Sequence, residues 1–160
     1  MTEAPRELII EVNDEQSQLP EDGRLVEAVR SILEEAAINR ARISVAIVDD
    51  PTIQQVHRDY LQIDEPTDVM SFVLEQTDDL LEGEVIASAD TAIASAPQFG
   101  LSAGDELLLY VIHGTLHLVG FDDLTPEKQA EMRRQERAHL ARFDVELPDQ
   151  RTDDKEGGTS

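Results

Sequence analysis

Between Asp22 and Ile38, apolar residues recur at Leu25, Val26, Val29, Ile32, Leu33, Ala36 and Ala37, while Arg24, Glu27, Arg30, Glu34 and Glu35 take the other side. Spacings of three and four are the period of a helix with one buried face, so this segment reads as an amphipathic packing helix. Shorter apolar runs at Leu8 to Val12, Ile43 to Val48, Val69 to Leu74 and Glu84 to Ser88 read as strands, bounded by polar or turn-forming stretches. Asp49-Asp50-Pro51 offers a cap and a first-turn proline for a helix running to about Tyr60. Asp64-Glu65-Pro66-Thr67-Asp68 is turn chemistry, and the acidic loop Gln76 to Gly83 makes the strands on either side a hairpin-like pair. A helix opens at Asp90 and ends near Phe99. Leu107 to Val119 is the most apolar helix of the chain and belongs at its centre, and Thr125-Pro126 caps a charged helix reaching about Phe143.

The order β, α, β, α, β, β, α, α, α predicts an α+β (mixed α/β) domain, a small mixed sheet of about four strands packed with about five helices. A chain of 160 residues without an internal repeat or composition break suits one domain, 1–145. Residues 146–160 read as an acidic, disordered tail, polar after Pro148 and carrying Gly157-Gly158. The N-terminus lacks the apolar run of a signal peptide, and no stretch approaches the roughly 20 apolar residues of a membrane span, so a cytoplasmic protein is the expectation.

Charge and cysteine content narrow the chemistry. The net charge is -22, which favours solubility and disfavours non-specific binding of RNA or DNA. It suits a solvated acidic surface, or docking to a basic protein partner. With no cysteine, disulfides and thiolate metal sites are excluded, and histidine and carboxylate remain as strong ligands.

Against that background, His113 and His117 stand out: two of four histidines, one helical turn apart, near the end of the most apolar helix. Side chains four apart share a helix face, so both imidazoles can reach one cation. Gly120 lets the chain turn back, and either Asp122 or Asp123 can then supply a carboxylate as third ligand. Three protein ligands leave a position open, as catalytic zinc sites do, and a carboxylate among them tolerates manganese or magnesium. The residue after His113 is Gly114, where HExxH proteases carry their general-base glutamate, so peptidase chemistry is disfavoured.

The run His113-Gly-Thr-Leu-His117-Leu-Val-Gly-Phe-Asp-Asp123 resembles the HGxLHLxGYDH signature of YbeY-type endoribonucleases. Pro66 to Phe72 resembles that family's PTDVLSF segment and Gly83 to Ser88 its GDIVIS strand. Glu106-Leu107-Leu108 enters the metal helix as the family does, and Glu127 to Leu140 is similar to its closing helix. The resemblance implies a zinc-dependent, single-strand-specific endoribonuclease acting in small-subunit ribosomal RNA maturation and ribosome quality control. The implied partners are ribosomal RNA and the small subunit or its assembly proteins, with no membrane and no DNA. It places the metal and catalytic ligands on His113, His117 and Asp123, the last standing where the family usually has histidine.

Leu61 replaces an arginine that many members carry to engage the RNA backbone, and Val73 replaces a common proline. Arg58, on the same predicted helix, is the alternative substrate-binding cation. An adaptor role in ribosome assembly with little nuclease activity is the competing reading, supported by Leu61 and the acidity. Thr67, Asp68 and Ser71 read mainly as turn and capping residues near the metal, and His57 and His139 as surface or packing residues. Arg133, Arg134, Arg137 and Arg142 read as a solvated helix face, with a phosphate or partner surface as the sharper alternative.

Overall fold

In the computed structural model, which describes residues 6–148, the pattern of elements follows the hydrophobic code closely. Among the described residues these are β1 (Glu7–Asp14), α1 (Arg24–Glu35), β2 (Arg40–Val48), α2 (Asp50–Leu61), β3 (Val69–Gln76), β4 (Leu81–Ser88), α3 (Ala89–Phe99), α4 (Ala103–Leu118) and α5 (Pro126–Ala141). The sheet order is β1-β2-β4-β3, with β1, β2 and β4 parallel and β3 antiparallel to β4 at one edge. The predicted α+β class and its mixed sheet are therefore present.

Side-chain caps set most helix starts. Asp49, Ser88, Ser102 and Thr125 each accept a backbone N–H from the first turn of α2, α3, α4 and α5. α1 stops short of the predicted Ile38 because Ala37 takes a left-handed conformation, with Ile38 N–H reaching Leu33 C=O at 2.9 Å. β4 begins at Leu81 instead of Glu84. Leu81, Gly83 and Val85 alternate inward, and the turn between β3 and β4 shrinks to residues 77–80.

α4 lies at the centre, packed against α1, α3, α5 and the β3–β4 pair. Leu107 to Ile112, Leu116 and Leu118 are all buried, and full burial of each large apolar side chain contributes about 1.5–3 kcal/mol. A second, smaller cluster of Val48, Ile53, Met70 and Ile86 lies where α2 covers the opposite face of the sheet. The core continues to Leu147, which is 4% exposed. Most of the tail expected to be disordered falls on residues 149–160, outside the described residues.

α4 can sit this close to the sheet because Gly83 and Gly114 lack side chains. A Cβ on Gly114 would stand 2.8 Å from Val85 Cγ1 and 2.9 Å from Ser71 Oγ. Ser71 instead donates a hydrogen bond to the Gly114 carbonyl at 2.8 Å, which pins the last turns of α4 against β3.

Candidate metal centre

His113 and His117 project from the last turns of α4 on one face, with ring centroids 4.7 Å apart and planes at 76°. The helix ends in a Schellman motif: Phe121 N–H bonds Leu116 C=O at 3.0 Å, Gly120 N–H bonds His117 C=O at 3.1 Å, and Gly120 adopts φ +113°. Phe121 packs on the core, which fixes the direction of the chain beyond it. That turn returns Asp123 to the histidines. One ligand atom from each of His113, His117 and Asp123 lies within 4.8 Å of the others, and all three residues are partly buried.

The structure also separates the two aspartates. Asp122 accepts the Leu124 N–H at 3.1 Å and Lys128 Nζ at 3.4 Å, and the Leu124 bond holds its carboxyl below the usual carboxylate range. It serves the turn into α5. Asp123 is the carboxylate grouped with the two histidines.

The donor set fits a divalent ion. His113 Nδ1 faces Glu136 Oε2 at 2.6 Å, so the ring proton sits on Nδ1 and the Nε2 lone pair is bare. His117 Nε2 stands 3.1 Å from His113 Nε2. Burial, reinforced by the neighbouring His113, pushes His117 below the ordinary histidine range and favours the neutral imidazole that ligation requires. Two imidazoles and a carboxylate converging in this way could hold a divalent metal ion.

Glu136, which the sequence did not single out, contacts the candidate site through His113. It is 1% exposed and uses both oxygens, taking His113 on one and Arg133 Nη1 on the other, each at 2.6 Å. Its signal lay in the stripe Met132, Glu136, His139, Leu140, the buried face of α5, where a glutamate occupies a core position. A small cavity opens beside His113, lined by Asp68, Val69, Leu109, Tyr110, Arg133 and Glu136. Burial first, and then the charges of Glu106 and Asp68, push the Tyr110 hydroxyl well above its usual range, so it stays protonated.

Asp68 Oδ1 caps its own turn by accepting Val69 N–H at 2.7 Å, while Ser71 serves the α4 contact. His57 is buried with Nδ1 at 2.9 Å from the Glu65 carbonyl. His139 is buried with Nε2 at 3.2 Å from Glu35 Oε1, so both are packing residues and neither is at the surface. Arg58 is not brought to the cavity; it lies on α2 and pairs with Asp64 at 3.5 Å and Asp59 at 4.0 Å. Leu61 is exposed at the end of that helix.

Comparison with known proteins bears on what this geometry is for. Residues 9–144 match the family model described as endoribonuclease YbeY. An endoribonuclease YbeY of Rhodopirellula baltica is 47% identical over 133 residues, covering 77% of this chain and 69% of that protein. One from Desulfitobacterium hafniense is 34% identical over 153 residues, covering 85% and 98%. The solution structure of a Thermotoga maritima protein superimposes with a TM-score of 0.57 at 23% identity, over 96% of this chain and 99% of that one, a likeness of fold.

Proposed function

The chain belongs to the endoribonuclease YbeY family, and from that premise we propose that it is a metal-dependent endoribonuclease cleaving single-stranded RNA. The observation that carries the metal part is the convergence of His113, His117 and Asp123 within 4.8 Å. These three residues would hold the ion, with zinc the first choice for two imidazoles and a carboxylate. The ion, when bound, supplies Lewis acidity toward the phosphodiester.

The chain's own groups prepare the site. Glu136 keeps the proton of His113 on Nδ1 and its Nε2 bare. Tyr110 walls the cavity with a hydroxyl that does not ionise near neutral pH. Ser71 and Gly114 set how deeply α4, and with it both imidazoles, sits against β3. Gly114 offers no base where the HExxH proteases have one, which counts against peptide cleavage, while the phosphodiester substrate is taken from the family.

The finer reading is maturation of small-subunit ribosomal RNA in the cytoplasm, with the small subunit or its assembly proteins as partners. It is supported by the ordered motifs shared with the family along Leu8 to Phe143. A second reading, an assembly adaptor with little cleavage activity, draws support from exposed Leu61 and from Arg58 being tied to Asp64.

Cleavage of a defined single-stranded oligoribonucleotide separates the two. Cleavage that needs added zinc, manganese or magnesium and is lost in His113→Ala is the result expected of the enzyme. No cleavage with any of the three ions, or undiminished cleavage by His113→Ala, refutes it.

A further inference from the structure

Arg133 precedes Glu136 by one turn of α5, and its side chain is only 15% exposed. Its Nη1 donates to Glu136 Oε1 at 2.6 Å, and among the described residues that is its one hydrogen bond. A guanidinium carries five N–H donors in a rigid fork, so most of this one faces no protein acceptor. None of its nitrogens is buried without a partner, so the donors that Glu136 leaves open reach solvent at the cavity and are available to an incoming oxygen. Arg133 lines the cavity beside His113, and among the described residues lining it, it is the one cation.

The other described lysine and arginine side chains do not line this cavity. Arg58 pairs with Asp64, Arg134 with Glu131, Lys128 with Asp122, and position 61 is an uncharged leucine. A molecule of net charge -22 repels RNA at long range, so capture calls for a cation inside the site. One carboxylate also fixes Arg133 and His113 relative to each other, since Glu136 holds both at 2.6 Å. An oxygen of a phosphate seated beside His113 would be within the province of that fork.

We propose that Arg133 is a substrate-binding residue, its open guanidinium edge donating to a non-bridging oxygen of the RNA phosphate lodged beside His113. The proposal rests on the endoribonuclease reading and supplies the backbone contact that Leu61 does not.

The test compares the full chain with Arg133→Gln and Arg133→Lys, both checked for an unchanged melting transition with zinc bound. KM and kcat are measured on the single-stranded oligoribonucleotide, and binding of a 2′-O-methyl oligonucleotide of the same sequence is followed against salt. Arg133→Gln is expected to raise KM about 10- to 100-fold, the range of a hydrogen bond to a charged group, and to lessen the slope of log affinity against log salt by about 0.7. Its zinc affinity stays within about twofold of the parent, and Arg133→Lys recovers part of the loss because it keeps the charge without the fork.

Unchanged KM and salt slope in Arg133→Gln overturn the proposal. So does a parallel fall in zinc affinity, which would make Arg133 a support for Glu136 alone. If the parent cleaves no RNA, the endoribonuclease reading fails, and the oligonucleotide binding still decides Arg133: a smaller salt slope in the glutamine variant supports it, and an unchanged slope or no binding by the parent refutes it.

Discussion

Gly114→Ala tests whether the depth of α4 against the sheet is what sets the site. In an open helix the change stabilises by about 1 kcal/mol, because alanine is the better helix former. Here the added Cβ meets Val85 Cγ1 at 2.8 Å, Ser71 Oγ at 2.9 Å and Val69 Cγ2 at 3.1 Å. Val85 is fully buried in the middle of β4, so it has no room to retreat. Overpacking of this kind costs about 1–3 kcal/mol, and straining the Ser71 to Gly114 hydrogen bond adds about 1 kcal/mol. With the propensity gain subtracted, net destabilisation is about 1–3 kcal/mol. For a domain of this size that lowers Tm by roughly 2–12 °C. Calorimetry of the metal-free protein measures it, and zinc titration reads the accompanying displacement of His113 as weaker binding. A variant with a raised Tm and unchanged zinc affinity would show that Gly114 is an ordinary helix position and refute the packing argument.

Glu136→Gln removes the charged partner of His113 Nδ1, and zinc affinity should fall about 10- to 100-fold by titration; an unchanged affinity would mean that the 2.6 Å contact does not tune the ligand. Asp123→Ala should lose metal while Asp122→Ala keeps it, since Asp122 is engaged with Leu124 and Lys128; metal analysis giving the reverse pattern would exchange their roles. Burial lowers the pKa of His139 from the ordinary 6.5, so the unfolded chain binds the proton more readily than the folded one. The stabilising contribution of this group is complete above about pH 6.5 and is lost as the pH falls through that value toward the lower folded-state pKa. Urea unfolding of metal-free His139→Gln should accordingly show a shallower loss of stability below pH 6.5 than the parent, and equal slopes would exclude His139 as a source of the acid sensitivity.

Local pattern carried most of the architecture. Period 3.6 marked α1, continuous apolarity marked α4 as central, and Asp49 and Thr125 marked helix starts that the backbone uses, whereas the first turn of α4, from Ala103, lay ahead of the expected Leu107. The start of β4 was hidden because Gly83 stands at an inward position and interrupts the visible alternation of Leu81 and Val85. At the site, His113 and His117 were legible because their relation is a single helical turn. Asp122 and Asp123 were not separable by spacing alone, since adjacent turn residues point differently only once Gly120, Phe121 and Lys128 fix the path. The stripe on α5 marks Glu136 as a core position, but its partner was beyond reach of local reasoning: the contact with His113 spans 23 residues and two helices, and arises from how α5 folds back onto α4. The same folding turned Arg133 inward while Arg134 remained in solvent with Glu131.

His113, His117 and Asp123 are expected to form one metal site. Titration of chelator-stripped full-length protein with zinc, beside His117→Ala, tests it most directly. One ion per chain in the parent and no tight site in His117→Ala is the predicted result. Absence of stoichiometric binding in the parent, or the same stoichiometry and affinity in the variant, would contradict it.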